Sequence, residues 1–371
     1  MHIVFVQPLL PSYSISFFNK LVSNKNIKVT VLADIFCNNQ LNQYQPKDCF
    51  FDVVHLEEKR VGGFVLRPKL NKILAGLDYD HLVLNGNPRD LSQFLRLISQ
   101  AIKGNPVYTW GMFHRIGGKR FISECYYRIA GHLSKACFTY TKRGVDAQLM
   151  RGIKIKKLIA LGTAIDEYQV ITEKNERSPD ELNAFKFNHK LIEKKIILQV
   201  VRLSAIKKPE LLIEAAKEVV RKDRSVLFVL IGGGDLEPRL KALVDIYELS
   251  DNVLFLGPVY DEKVLSFWFL SADVFVVPSC IGLSAHHAMC YELPIITDND
   301  YSQQASEFEI LFDGLNASLY QANDPLSLAN KIIELLSDKE MCKFISKNAL
   351  HTVTKISNLD NKVSNLLRAL T

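Results

Sequence analysis

Short apolar runs alternate with longer amphipathic stretches along both halves of the chain. This alternation is typical of βα units built around a mostly parallel sheet. In the first half Leu91, Phe94, Leu95 and Ile98 recur at the spacing of one helix face, which predicts a helix over 91–102, and another is predicted over 15–22. The strands predicted in this half are 2–6, 28–33, 53–56, 81–85, 106–110, 137–140 and 157–161.

A break in this pattern separates the two halves. Residues 172–188 are polar and charged and include Pro179, so we place the boundary there. We predict an N-terminal domain over 1–168, a linker over 169–190, a C-terminal domain over 191–345, and a final helix over 346–371 that can cross back to the first domain. The second domain is predicted to hold strands 195–201, 226–231, 252–256, 273–277 and 293–297, and helices 209–221, 237–247 and 261–270.

Composition indicates a soluble globular protein, because 371 residues with 48% hydrophobic and 23% charged side chains suffice for two sizeable cores. The seven cysteines form no CxxC pair, so we predict neither a disulfide framework nor a zinc site and expect a reducing cytoplasm. The chain starts without a cationic leader, and Asp273 and Pro278 interrupt its most apolar later stretch. We therefore expect neither a secretory signal nor a membrane span.

Positive charge is concentrated between Gly111 and Gly144, where seven Lys or Arg face the single acid Glu124, while the whole chain has a net charge of +6. With aromatic residues between them, these cations suit an anionic membrane surface or a phosphorylated acceptor. The alternative is a solvated basic face. Neither a zinc-finger spacing nor an aromatic RNA-binding signature is present, so nucleic acid is not an expected partner.

Two cations follow the strand predicted over 195–201. Arg202 leaves the strand end and Lys207 comes shortly before Pro209, which is expected to start a helix. A guanidinium fork and an ammonium together can neutralise the charge that builds on a departing diphosphate. Taken alone, such a pair is more often a pair of surface residues.

Two glycine-containing turns come later in the same half. The run Ile231-Gly232-Gly-Gly234-Asp235 can let backbone approach a ligand or another strand closely, although a plain tight turn explains it as well. In the segment 278–289, a buried strand passes through Gly282, Leu283 and Ser284 into a helix, whose free N–H groups and dipole favour an anion.

Two side chains in the second turn have competing interpretations. Ser284 is either part of that anion site or only a helix cap. His287, on the first turn of the helix, can hydrogen-bond a ribose hydroxyl or a phosphate. The alternative is a core or surface histidine whose hydrogen bonds are satisfied within the protein.

These segments, in this order, resemble glycosyltransferase family 4. The resemblance rests on Arg202-Leu-x-x-x-Lys207, Ile231-Gly-x-Gly234, Val253-x-Phe-x-Gly257, Ala272-Asp-Val-Phe-Val-x-Pro-Ser279 and Gly282-Leu-Ser-x-x-His287-Ala-Met. It spans nearly the whole second domain. The first domain is similar more loosely, through Leu10-Pro-x-Tyr13, Phe17-Phe18 and Asn85-Gly86-x-Pro88.

The resemblance implies an α/β fold of the GT-B class, with two Rossmann-like α/β/α domains facing across a cleft. It further implies a UDP- or GDP-linked sugar donor on the second domain, an acceptor on the first, transfer with retention, and no cofactor or metal. Arg202 and Lys207 fall on residues that hold the donor diphosphate. Gly257, Pro258 and Val259 fall where the base packs, and Gly282 to Ser284 on the phosphate-binding helix start.

The chain also departs from the family pattern. The family commonly carries two glutamates flanking the turn, and Ser279 and His287 stand in their places. A branch with Gly-Leu-Ser-x-x-His in place of the double glutamate exists among polysaccharide-building members, and this sequence is similar to it. We therefore keep Ser279 and His287 as donor-side candidates. Glu292 stands where the family often has glycine, and no physical account of it comes from the sequence.

Acceptor-side candidates lie in the first domain. His114 and Arg115 follow a predicted strand, where family members often place a histidine near the transferred sugar, and the alternative is an exposed loop histidine. Pro11 and Tyr13 lie in a loop after the first strand, with Tyr13 able to stack on a sugar. A surface turn explains them nearly as well.

The function expected from these features is that of a retaining hexosyltransferase. It would transfer a sugar from a nucleotide diphosphate donor to a hydroxyl of a glycan, such as a lipid-linked one, in bacterial O-antigen, capsule or exopolysaccharide synthesis at the cytoplasmic face of a membrane. One alternative is a non-catalytic donor-binding or scaffold subunit of a glycan assembly complex. Another is a nucleotide-sugar 2-epimerase, against which the missing carboxylates argue.

Overall fold

The computed structural model describes residues 1–36, 46–116 and 121–370. By contacts the chain forms two compact units. One comprises Met1–Asp166 together with Asn358–Thr371, and the other comprises Glu167–Ser357.

The first unit is a parallel sheet covered by helices. Among its described residues, seven strands form the order β3-β2-β1-β6-β7-β8-β9, and β4 and β5 form a separate antiparallel hairpin. Its elements in chain order are β1 His2–Val6, α1 Ser12–Val22, β2 Lys28–Ala33, β3 Asp52–His55, β4 Lys59–Val61, β5 Phe64–Leu66, α2 Leu70–Ala75, β6 His81–Asn85, α3 Leu91–Ile102, β7 Val107–Gly111, α4 Phe121–Leu133, β8 Ala136–Thr139, α5 Lys142–Met150 and β9 Leu158–Ala160.

The second unit repeats this plan. In this fully described part of the chain, six parallel strands form the order β12-β11-β10-β13-β14-β15. Its elements are α6 Glu167–Glu176, α7 Pro179–Asn188, β10 Lys195–Val200, α8 Pro209–Lys222, β11 Val226–Ile231, α9 Glu237–Ile246, β12 Val253–Gly257, α10 Glu262–Ser271, β13 Val274–Val276, α11 Ser284–Cys290, β14 Ile295–Asp298, β15 Ser318–Tyr320, α12 Pro325–Ser337 and α13 Lys339–His351. The last helix, α14 Leu359–Leu370, belongs to the first unit.

The predicted strands are all present, and their ends differ from the predicted ones by at most two residues. Several elements differ from prediction. The hairpin of β4 and β5 and the short strand β15 were not predicted, and α1 begins at Ser12, so Tyr13 lies on a helix and not in a loop. The segment interpreted as a linker holds α6 and α7, of which α7 starts with a capping box between Ser178 and Glu181.

Both sheets have fully buried central strands. β1 and β11 present Val4, Phe5, Phe228 and Val229 with no exposed surface, because helices cover both faces of a parallel sheet. The carboxyl ends of β10, β11, β12 and β13 lie along one edge, and these strand ends and the loops that follow them carry the donor-side candidates. No helix in the described ranges is long and apolar enough to cross a membrane.

Candidate functional site

The loop after β10 presents one exposed cation. Arg202 is exposed, and its guanidinium has no hydrogen bond or ion pair within the described residues. A short 3-10 turn, Ala205–Lys207, follows, and Pro209 then starts α8 at its first position, as predicted. The loop therefore leaves the Arg202 guanidinium available to an anion in solution.

Lys207 lies at the Gly282 turn. Its ammonium donates a hydrogen bond to the carbonyl of Cys280, which adopts a left-handed backbone with φ 50°. A Cβ atom built on Gly282 would lie 3.6 Å from Lys207 Nζ. The structure therefore brings the segments of Lys207 and Gly282 together, as the binding of a diphosphate requires. The Lys207 ammonium also has further N–H donors besides the one that bonds Cys280.

The turn opens α11 without a side-chain cap. Leu283 is the N-cap residue, and no side chain caps this helix, so the helix-cap interpretation of Ser284 is wrong. Gly282, Leu283 and Ser284 are partly exposed, and none of their N–H groups has a hydrogen-bond partner within the described residues. Three unpaired donors beside an ammonium favour a bound anion.

The triple-glycine loop lies against backbone and not in open space. A Cβ built on Gly232 would lie 1.9 Å from the Val201 carbonyl oxygen, and one on Gly234 would lie 2.1 Å from that of Leu203. Gly232 also has φ 136°, and Leu203 N–H donates to the Gly233 carbonyl at 3.0 Å. These two glycines are thus needed because the loop packs tightly against the segment that carries Arg202.

The predicted base-packing loop adjoins the triple-glycine loop. Gly232 N–H donates to the Gly257 carbonyl at 2.8 Å, and Gly257 has φ 67° with open space at its Cβ position. Pro258 is exposed and Val259 is partly buried. Together they offer a small apolar surface beside the Arg202 loop.

A buried polar cluster supports the Gly282 turn from beneath. Gln304 accepts from Ile281 N–H at 2.8 Å and donates to Thr297 Oγ1 and to the Asp298 carboxylate at 3.0 and 2.9 Å. Ser279 is fully buried, and its Oγ has no hydrogen-bond partner in the part of the chain that the structure describes. Gln304, which no sequence motif indicated, therefore connects the Gly282 turn to β14 through hydrogen bonds.

His287 is held by a carboxylate from a neighbouring helix. Its Nε2 lies 3.3 Å from Glu262 Oε2, and its ring stacks near Phe269 at 6.0 Å. The His287 ring therefore lies beside a carboxylate and an aromatic ring. Glu262 is the first residue of α10, and no sequence motif indicates this pairing.

The acceptor-side candidates lie at the carboxyl ends of β1 and β7 in the first unit. His114 Nδ1 lies 2.8 Å from the Met112 carbonyl, and because a carbonyl only accepts, Nδ1 carries the proton in that bond. Arg115 is partly buried beside it. Pro11 is the N-cap of α1, and Tyr13, on the first turn, is 48% exposed.

Residues 181–352 match the family model described as glycosyl transferases group 1. This matched segment contains every donor-side candidate named above, from Arg202 to His287.

Two curated relatives carry similar sequences. Spore coat protein SA of Bacillus subtilis is 28% identical over 187 residues, which are 47% of this chain and 48% of that protein. The amylovoran biosynthesis glycosyltransferase AmsK of Erwinia amylovora is 27% identical over 188 residues, 48% of this chain and 44% of that protein. The chain thus spans less than half the length of these relatives.

A solved structure is similar over the whole chain. Anabaena HepE in complex with UDP has a TM-score of 0.77 and 16% identity, with 100% of this chain and 99% of that chain covered. At this identity the likeness concerns the fold. It confirms the predicted fold class, α/β of the GT-B type with two Rossmann-like sheets.

Proposed function

We propose that this chain is a glycosyltransferase that moves a sugar from a nucleotide diphosphate-sugar to a hydroxyl of a glycan. The observation that carries the proposal is the position of the Lys207 ammonium at the Gly282 turn, next to N–H groups that have no partner among the described residues. The exposed Arg202 and the match of residues 181–352 to glycosyl transferases group 1 support it.

The proposed mechanism is electrostatic. As the bond between the sugar and the diphosphate breaks, negative charge grows on the leaving phosphate oxygen, and Lys207, Arg202 and the start of α11 stabilise it. The acceptor hydroxyl attacks from the same face, so the anomeric configuration is retained, and its proton passes to the leaving phosphate. No metal or further cofactor takes part in this scheme.

Donor binding provides the first test. We expect a thermal shift with one class among UDP-, GDP-, ADP- and CMP-linked sugars, and Arg202→Ala or Lys207→Ala should weaken binding at least about tenfold because a charged hydrogen bond is lost. Lys208→Ala is the matched control, since the Lys208 ammonium bonds Asn323 Oδ1 at 2.8 Å. A chain that shifts with none of these donors would contradict the proposal.

Turnover separates an enzyme from a scaffold. With the donor that binds, release of nucleoside diphosphate should depend on added glycan acceptor and should be lost in Lys207→Ala. NMR of the product should show the donor's anomeric configuration. Donor binding without release of nucleoside diphosphate, in the presence of lipid-linked glycan acceptors, would instead favour the non-catalytic scaffold.

We further propose that α4 rests on an anionic membrane and so brings the enzyme to a lipid-linked acceptor. Phe121 and Ile122 are 83% and 66% exposed, and Arg128 is exposed on the same helix. The single acid of this basic segment, Glu124, is paired with Arg151 at 2.8 Å, so it does not offset the surrounding cations. Exposed apolar and basic side chains on one helix suit a lipid headgroup region.

Liposome flotation tests this membrane contact. The wild-type chain should float with anionic vesicles at low salt and less at high salt, because screening weakens the attraction. A Phe121→Ser, Ile122→Ser double variant should float less, while Tyr168→Ser, at an equally exposed aromatic position of the second unit, should not change flotation. Equal recovery of wild type and double variant with the vesicles would contradict this role of α4.

A further inference from the structure

The peptide group between Cys280 and Ile281, at the base of the Gly282 turn, is held on both sides. Its carbonyl accepts from the Lys207 ammonium, and its N–H donates to Gln304 Oε1 at 2.8 Å. Lys207 lies in the loop after β10 and Gln304 in the loop after β14, and these two strands flank β13 in the sheet. Two loops on opposite sides of β13 therefore fix the plane of one peptide group.

This double contact acts on the direction of the chain as it enters α11. Cys280 has a left-handed backbone with φ 50°, which costs a residue with a Cβ about 1 to 2 kcal/mol and persists where surrounding contacts hold it. Because the chain turns at Cys280, the plane of the next peptide sets the path that follows. The contact thus fixes where the N–H groups of Gly282, Leu283 and Ser284 point.

Gln304 is itself held in one orientation. It is 1% exposed, and its Nε2 donates to Thr297 Oγ1 at 3.0 Å and to the carbonyl and carboxylate of Asp298 at 3.0 and 2.9 Å. Acceptors around Nε2 and an N–H donor at Oε1 match the two ends of the amide. Asp298 has no exposed surface, so its bond to Gln304 is shielded from water and strengthened.

The end of β13 is fixed independently of Gln304. The Pro278 carbonyl accepts from Asp298 N–H at 3.2 Å and from the Tyr320 hydroxyl at 2.8 Å. Burial raises the pKa of Tyr320, so its hydroxyl keeps the proton that it donates. Gln304 therefore acts on the part of the turn that leads into α11, and the strand before it has anchors of its own.

We propose that Gln304 is the positioning residue of the Gly282 turn and that, by orienting the N–H groups there, it makes the site select a nucleoside diphosphate over a monophosphate. This inference rests on the function proposed above, in which the start of α11 stabilises the leaving phosphate. A nucleoside monophosphate lacks that phosphate. Gln304 is buried and acts only through Ile281, so its effect falls on the second phosphate.

The experiment measures calorimetric affinities of the full chain for UDP, GDP and ADP and for the matching monophosphates. For the base that binds, we expect the wild type to prefer the diphosphate by about 10- to 100-fold, the range of hydrogen bonds to charged groups. Gln304→Leu should lose most of that preference, because Ile281 N–H loses its acceptor, while the affinity for the monophosphate stays unchanged. Gln303→Leu, at the half-buried neighbouring glutamine, should keep the preference.

Gln304→Glu is a second test with a side chain of the same shape. The new carboxyl can accept from Ile281 and donate to Asp298 only while it is protonated, and burial beside a carboxylate raises its pKa. The diphosphate preference relative to wild type should therefore rise as the pH falls from about 8 to about 6. Division by the wild-type value at each pH removes the titration of Lys207 and Glu307, which also lie near Cys280.

Three results would overturn this inference and leave the proposed function standing. They are a Gln304→Leu variant that keeps the wild-type preference, one that weakens diphosphate and monophosphate equally, and a Gln304→Glu variant whose preference stays low at every pH. A wild type that binds none of the nucleotides would overturn the proposed function and this inference with it. Circular dichroism confirms that each variant is folded, and Gln304→Glu decides if Gln304→Leu is not.

Discussion

At the residue scale, Glu292 has a physical account that its sequence position alone did not provide. It follows the C-cap of α11 with φ 58°, a left-handed conformation in which glycine is least strained and other residues cost about 1 kcal/mol. Its carboxylate lies 2.5 Å from Lys174 Nζ, which also donates to the Cys290 carbonyl. The ion pair with α6 compensates in part for the backbone strain.

A sharper residue-scale prediction concerns the glycine loop. Gly234→Ala should destabilise the second unit by about 3 kcal/mol and weaken donor binding, because the new Cβ collides with the Leu203 carbonyl and displaces the Arg202 loop. Gly233→Ala is the matched control, since its Cβ would lie at ordinary contact distance from the Pro258 ring, 3.6 Å from Cδ and 3.8 Å from Cγ. Urea unfolding and the donor thermal shift check both variants, and equal effects of the two substitutions would contradict the close-approach explanation.

At the element scale, a buried ionic network joins the β4 and β5 hairpin to the start of α3. The Arg67 guanidinium donates to Asp90 Oδ2 at 2.8 Å and to Glu58 Oε2 at 2.9 Å, and Asp90 also caps α3 by accepting from Gln93 N–H. The side chains of Arg67 and Asp90 are each 1% exposed. Removing one member leaves the other charge buried without its partner.

Arg67→Met should therefore destabilise the first unit by about 3 to 5 kcal/mol. In a Trp268→Phe background, fluorescence of the remaining Trp110 follows this unit alone. Adding Asp90→Asn should restore part of the loss, because it removes the unpaired charge. If Arg67→Met has the same unfolding midpoint as its Trp268→Phe parent, the network contributes nothing to the stability of the first unit.

The elements that the sequence predicted well are the buried strands, since a strand covered on both faces must be a short apolar run. The hairpin was missed because Lys59, Arg60 and Val61 are exposed, although its Gly62-Gly63 turn is a hairpin signal. Polarity led residues 172–188 to be interpreted as a linker, while the Ser178 capping box indicated a helix.

Only part of the candidate site was predictable from the sequence. The residues of each loop follow directly from a strand and a turn, so Arg202, Lys207 and Gly282 could be selected from spacing. Glu262 and Gln304 act through contacts between elements that are distant in sequence. Single-sequence patterns carry no information on such pairings.

At the scale of the whole molecule, the chain returns to its first unit at the end. Leu359, Val363, Leu366 and Leu370 of α14 join the apolar core formed by α1 and the sheet. Lys20 pairs with Asp360 at 2.8 Å, and the Lys362 ammonium lies 5.0 Å from the Phe17 ring centroid and 5.5 Å from that of Trp110. The core of the first unit is therefore built from both ends of the sequence.

Shortening a buried side chain of α14 should lower the stability of the first unit selectively. Leu366→Ala should destabilise it by about 2 to 5 kcal/mol, because Leu366 has no exposed surface and its loss leaves a cavity. Arg368→Ala, at an exposed position of the same helix, should change stability by less than about 0.5 kcal/mol. Unfolding followed by Trp110 fluorescence in the Trp268→Phe background distinguishes the two variants. Equal unfolding midpoints of Leu366→Ala and Arg368→Ala would show that α14 adds nothing to the stability of this core.

The return of α14 has a consequence for synthesis of the protein. Residues 358–370 emerge from the ribosome after the whole of the second unit, so the first unit can complete its core only once that unit has been synthesised. The second unit, Glu167–Ser357, has all of its residues earlier. The usual order, in which the amino-terminal domain matures first, is therefore reversed, and until α14 has emerged the nascent first unit exposes the apolar surface that α14 covers.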